Sequence, residues 1–239
     1  MYGGLWKQVA RESPDYLILL GDNVYNDVRN NLGQWEPASV EAIQQSYDAL
    51  RADEGWSVLS SRLGRERIFA TWDDHDYGLD NGDKTFINKE KSLESFLDFF
   101  SRNEVDWNDR MSRGGVYQSH VVPITRGKNK KDFIIKIIMM DTRYFKDPKG
   151  SSLDADILGA EQWSWLENEI NGSTDETQPD LILLGSSIQV LATQKIFEET
   201  WSDYPPARER LLNLITNAPC RNVFILSGDV HMMEVSQVS

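Results

Sequence analysis

The chain has 239 residues, 40% of them hydrophobic, with 8 Trp, 9 Phe and 8 Tyr, which suits one sizeable core in a single α/β domain. Its 25 basic side chains against 38 acidic ones leave a net charge of −13, so specific nucleic-acid binding is not expected, nor a general attraction to anionic membranes, and a phosphate site must find its positive charge locally. No run reaches the ~18 apolar residues of a transmembrane segment, the single Cys220 excludes an internal disulfide and leaves the redox compartment open, and Trp6, Lys7, Gln8 and Arg11 interrupt any signal-peptide core.

Leu5, Trp6 and Val9 have helical spacing, and the apolar run from Tyr16 to Leu20 reads as a strand opening into Gly21-Asp22-Asn23-Val24-Tyr25. Ser39 is an N-cap for a helix carrying Val40, Ile43, Tyr47 and Leu50. Arg67 to Trp72 reads as a second strand ending at Asp73-Asp74-His75-Asp76, and Leu93, Phe96, Leu97 and Phe100 mark the next helix. Residues 115–123 and 133–140 pair as a hairpin, whose Arg126-Gly127-Lys128-Asn129-Lys130-Lys131 tip supplies Gly and Asn for the turn. Its second arm ends at Asp141-Thr142-Arg143. Trp163, Leu166 and Ile170 give a helix, Leu181 to Leu184 a strand ending in Gly185-Ser186-Ser187, and Leu211, Leu214 and Ile215 a helix that Pro205-Pro206 opens. The last strand, Asn222 to Leu226, runs into Ser227-Gly228-Asp229-Val230-His231. Long loops at 23–38, 77–88, 144–158 and 189–204 are expected to wall a site.

Short apolar runs bounded by Gly and polar residues read as buried parallel strands, and open α/β sheets bind ligands beyond the carboxyl ends of such strands. Asp22, Tyr25, Asp74, His75, Asp76, Asp229 and His231 each stand just past one of these runs. Taken singly, an Asp after a strand is a turn or cap residue; taken jointly, the set reads as a metal site. Carboxylate, imidazole and phenolate suit iron, manganese or zinc, and the lack of thiolates argues against a structural zinc finger. Arg143 is the candidate for a forked contact to a phosphate oxygen, against a structural ion pair with Asp141 or a loop carboxylate. Asn23, Ser187 and Gln189 are candidate substrate or water contacts. His120, Trp72, Trp163 and Trp165 read as packed residues, and the basic hairpin tip as a solvated turn. Neither G-x-G-x-x-G nor a P-loop occurs, so no nucleotide cofactor is expected.

Trp72-Asp73-Asp74-His75-Asp76-Tyr77-Gly78, Asp141-Thr142-Arg143-Tyr144, Leu158-Gly159-Ala160-Glu161-Gln162-Trp163 and Leu184-Gly185-Ser186-Ser187-Ile188-Gln189 stand in order with the two Gly-Asp segments. In this combination the chain resembles, nearly end to end, the PhoD-like (alkaline phosphatase D) branch of the calcineurin-like metallophosphatases. The resemblance implies mixed β-sheets flanked by helices, and hydrolysis of small phosphomonoesters or phosphodiesters by a metal-activated hydroxide at a binuclear centre. It implies that Asp22 bridges the metals, that Tyr25 and His231 hold Fe(III), and that Asp74 and Asp229 serve a divalent ion. Such hard oxygen ligands favour Ca, Mn or Mg over Zn. His75 aligns with the acid that protonates the leaving group, and Asp76 with the acid that orients its ring. The family also draws an iron ligand from a strand upstream of Gly-Asp-x-x-Tyr and adds strands after the final His. Residues 1–239 are therefore expected to form one such domain, truncated at both ends. A non-catalytic metallophosphatase-like fragment that binds metal or a protein partner is the alternative, and the compartment stays open because members are often exported.

Overall fold

The computed structural model describes residues 4–127, 131–172, 178–192, 199–231 and 233–236. The protein is mixed α/β and divides into two compact units, Met1–Gly82 with Phe86–Val116, and Asp83–Thr85 with Tyr117–Ser239. The Lys128-Asn129-Lys130 part of the expected hairpin tip lies outside the described residues. Among the described residues no helix is long and apolar enough to cross a membrane.

The first unit contains α1 (Leu5–Arg11), β1 (Leu17–Leu20), β2 (Val28–Arg29), β3 (Trp35–Glu36), α2 (Val40–Ala52), α3 (Glu54–Leu63), β4 (Ile68–Thr71), α4 (Asp74–Tyr77), α5 (Lys89–Phe100) and α6 (Glu104–Arg113). β1 and β4 pair in parallel, Leu17 opposite Ile68 and Leu20 opposite Thr71, so the chain leaves both strands at the same end. β4 is buried along its length, whereas β1 is only half-buried. The expectation of a buried first strand is corrected here, because β1 pairs with β4 alone among the described strands.

The Ser39 cap forms as expected, its Oγ accepting the Ala42 N–H at 3.2 Å. Asp53 starts α3 in the same way, accepting the Trp56 N–H at 3.0 Å. Apolar faces of α2, α3 and α5 meet through rings: Tyr47 lies 5.2 Å from Phe99, Trp56 5.5 Å from Phe99, and Phe96 4.7 Å from Phe100. Each such pair adds about 0.5–1.5 kcal/mol to the area it buries. Trp72, the residue just past β4, joins this layer with its ring 5.5 Å from that of Phe96, next to the turn from which Asp74 and His75 depart.

The second unit contains β5 (Gln118–Ile124), β6 (Phe133–Met139), α7 (Gly159–Asn171), β7 (Leu181–Ser186), α8 (Pro205–Thr216) and β8 (Val223–Ser227). These strands form one sheet in the order β5-β6-β7-β8, with β5 and β6 antiparallel and the remaining pairs parallel. Trp163, Leu166 and Ile170 of α7 pack with Ile138, Ile182 and Leu184 of the sheet and Leu211 of α8. Fully burying side chains of this size contributes about 1.5–3 kcal/mol each. Among the described strands β8 pairs only with β7, and its Phe224 is 62% exposed. The last apolar run is thus a half-exposed edge rather than the buried strand its composition predicts. His120 is buried, its Nε2 2.8 Å from Gln118 Oε1, as its mid-strand position suggested.

Candidate metal centre

In the first unit the ends of β1 and β4 bring Asp22, Asp74 and His75 together, one ligand atom from each lying within 4.8 Å of the others. Gly21 makes this possible. It sits at φ 116°, and a Cβ there would lie 2.5 Å from the Asp73 Cβ, so only glycine lets the two turns pass this closely. Asp22 follows at φ 51°, a left-handed conformation that costs energy for a residue with a side chain and clusters at functional sites. Asp74 opens α4, and its carboxylate accepts the His75 N–H at 2.9 Å and the Asn81 N–H at 2.7 Å.

The His75 ring is flanked by Tyr25 and Trp35, with centroids at 4.4 Å and 4.6 Å. Its Nδ1 lies 2.7 Å from Oδ1 of the buried Asp27. Asp27 is therefore the acid on the ring, which corrects the assignment of that task to Asp76. The reason is local: Asp76 is the third residue of α4, and a carboxylate there reaches back to the N-cap. It accepts N–H groups from Asp73 at 3.0 Å, Asn23 at 3.0 Å and Val24 at 3.2 Å. Asn26 extends the same seam, its N–H donating to His75 O at 3.2 Å and its amide to Asp76 O at 2.6 Å. The segment after β1 is thereby stitched to α4.

Tyr25 donates its hydroxyl to Asp22 Oδ2 at 3.2 Å, and burial together with the Asp22 charge pushes this phenol far above its ordinary range. Burial, reinforced by Asp22, also pushes Asp76 up to about 7. Burial alone would lower His75, but the Asp27 hydrogen bond and the charges of Asp74 and Asp22 prevail and raise it to about 9. The leading charges acting on all three groups are carboxylates. A cation here would offset the carboxylate charge that all three groups feel, and oxygen donors with an imidazole and a phenol form a fitting set for one.

A family model described as PhoD-like phosphatase matches residues 1–239. The chain belongs to the PhoD-like phosphatase family. Alkaline phosphatase D of Bacillus subtilis (strain 168) is 22% identical over 266 aligned residues, covering 96% of this chain and 43% of that protein. A solved structure of PhoD matches with a TM-score of 0.65 at 19% identity, covering 95% of this chain and 48% of its own, which shows the shared fold. The chain spans less than half the length of either.

The other expected site residues of this PhoD-like chain lie in the second unit, apart from Asn23. Asp229 and His231 follow β8 at φ 75° and 54°, so Asp229 repeats the left-handed backbone of Asp22. Arg143 is 1% exposed and donates to Glu199 Oε2 at 2.7 Å, and Lys146 donates to the same oxygen at 2.6 Å. Its expected fork onto phosphate gives way to the pairing with a loop carboxylate. Burial would raise Glu199, but the Arg143 and Lys146 charges hold it below the ordinary carboxylate range. Ser187 is buried and shares a hydrogen bond with the Thr142 hydroxyl, while the Gln189 amide donates to Glu234 at 3.3 Å. Asn23, buried in the first unit, donates its amide to Thr71 O at 2.9 Å. The side chains expected to touch substrate are engaged with the protein itself.

Proposed function

We propose that this PhoD-like chain is a metal-dependent phosphoesterase that hydrolyses small phosphomonoesters, phosphodiesters or both at a binuclear centre of Fe(III) and a divalent ion, Ca, Mn, Mg or Zn. The approach of Asp22, Asp74 and His75 to within 4.8 Å, in a chain matched end to end by the family, carries this reading. Bound cations of this kind lower the pKa of water and neutralise phosphoryl oxygens during in-line displacement. Asp22 would be the carboxylate shared by the ions, Tyr25 a phenolate ligand and Asp74 a ligand of the second ion, with Asp229 and His231 assigned as ligands by family pattern alone. Asp27 holds Nδ1 of His75, which leaves Nε2 for the leaving-group oxygen.

Elemental analysis of protein purified without chelators should give about two metals per chain, as a two-metal site requires. The same preparation should hydrolyse p-nitrophenyl phosphate, bis(p-nitrophenyl) phosphate or both. Asp22→Asn should lose metal, and His75→Ala should lower turnover roughly 10²- to 10⁴-fold at unchanged metal content. Metal retained in the first variant, or turnover retained in the second, would overturn the corresponding role.

A further inference from the structure

The net charge of −13 and the carboxylates around His75 repel a phosphate ester, and Arg143 is committed to Glu199. We propose that Arg29 is the cation that takes up the substrate's phosphoryl oxygens, with Trp35 as its brace. The inference rests on the phosphoesterase reading and adds to it a substrate-binding residue that the motifs do not single out.

Arg29 and Trp35 face each other across the β2–β3 ribbon. The Arg29 guanidinium lies 4.5 Å from the Trp35 ring, and that ring lies 4.6 Å from His75. One indole therefore contacts both the guanidinium and the ring of the proposed acid. The ribbon is pinned at both ends. At its tip the Asn30 N–H donates to Gln34 O at 2.8 Å, and Asn30 Oδ1 accepts the Leu32 and Gln34 N–H groups at 2.9 and 3.0 Å. At its base Asp27 is bound to the His75 ring and Asn26 to α4. The one acid of the ribbon, Glu36, is engaged by the Asn30 amide at 3.2 Å.

Arg29 is exposed, and among the described residues it makes no ion pair with a carboxylate. Stacking on an indole uses the flat face of a guanidinium and leaves its N–H edges for a fork onto two phosphoryl oxygens. A lysine would lack both the stacking plane and the fork. The arrangement thus presents a held cation, with no carboxylate partner among the described residues, on the same indole that packs against the residue proposed to protonate the leaving group.

The test is calorimetric titration of the metal-loaded full chain with inorganic phosphate, alongside turnover of an aryl phosphate. Arg29→Ala should weaken phosphate binding roughly 10- to 100-fold, the loss of a charge-assisted hydrogen-bonding fork. Arg29→Lys should recover part of that loss, and Trp35→Ala should cost roughly 3- to 10-fold. Metal content should stay at the wild-type value, and KM should rise with kcat little changed. Phosphate affinity in Arg29→Ala within twofold of wild type would overturn the proposal, as would a wild type that binds no phosphate. Should the wild type bind phosphate through Arg29 yet hydrolyse no ester, the phosphoesterase reading falls and the anion site stands.

Discussion

Asp27 and Asp76 are both buried acids next to the same helix, and the structure gives them different work that amide substitutions can separate. Asp27 makes one contact of consequence, the 2.7 Å hydrogen bond to His75 Nδ1. A hydrogen bond to a charged partner is worth about 1.5–3 kcal/mol, and removing the acid behind a site histidine typically costs about 10- to 100-fold in activity or metal affinity. Asp27→Asn keeps an oxygen acceptor in place, so the fold should hold while turnover falls by that factor. Asp76 accepts two N–H groups on Oδ1 and one on Oδ2. An amide has a single acceptor atom, so Asp76→Asn must set an NH₂ against a backbone N–H, a buried mismatch of about 1–3 kcal/mol. For a chain of this size each kcal/mol shifts the melting temperature by roughly 2–4 °C, so a fall on the order of 5 °C is expected. Thermal melts by circular dichroism and turnover, measured on the same metal-loaded preparations, resolve the two effects. An inactive Asp76→Asn with unchanged melting, beside a fully active Asp27→Asn, would refute this division and return the orienting role to Asp76.

Glu199→Gln leaves the buried Arg143 and Lys146 facing a neutral amide, and breaking a buried pair in this way costs about 3–5 kcal/mol; urea unfolding at neutral pH should show it, and an unchanged midpoint would refute the pairing. Because the folded protein holds Glu199 below its ordinary value of 4.5, the stabilisation it brings is complete above that pH and is lost as pH falls towards the lower folded value. Wild-type melting temperature should therefore drop more steeply than that of E199Q below about pH 4.5, and parallel curves would count against the shift. Gly21→Ala adds strain at φ 116° and a Cβ 2.5 Å from that of Asp73, so it should cost at least about 2 kcal/mol and weaken metal retention; a wild-type melting curve would show that the turns do not pass so closely.

Periodicity made much of the fold legible. The Ser39 cap, the stripes of α2, α5 and α7, the proline-opened α8 and the β5–β6 pairing all form where spacing and turn chemistry place them. Besides the single turn of α4, two helices did not announce themselves. α3 begins at Asp53 and carries Trp56, Leu59 and Leu63 inward, a short stripe directly behind α2. α6 has no apolar stripe at all: its buried residue is Arg110, which donates to Val116 O at 2.7 Å and lies 5.8 Å from the Phe96 ring. The exposure of β1 and β8 was equally hidden, since composition reports that a strand is apolar but not how many neighbours it has. At the site, Asp22, Asp74 and His75 were legible because each follows a strand-like run that ends abruptly. Asp27, Trp35 and Glu199 were not, because they lie off any helical or sheet period and their roles come from partners 48, 40 and 56 residues away in sequence.

The same carboxylates that make the centre fit for metal make it hostile to substrate until metal is present. Like charges about 4 Å apart repel by roughly 4 kcal/mol at an effective dielectric near 20, and Asp22 and Asp74 offer ligand atoms within 4.8 Å of each other. Burial together with this field shifts Tyr25 and Asp76 towards the protonated form, and at His75 the Asp27 hydrogen bond and the field overcome burial to do the same. A cation would reverse that sign for an incoming phosphate, and Arg29, one guanidinium against several carboxylates, would not do so alone. On the proposed reading, metal binds before phosphate. Chelated protein should bind inorganic phosphate at least tenfold more weakly than metal-loaded protein even with Arg29 intact, and Arg29→Ala should make little further difference to it. Equal phosphate affinity with and without metal, measured by the same titration, would show that the carboxylate field does not govern the site.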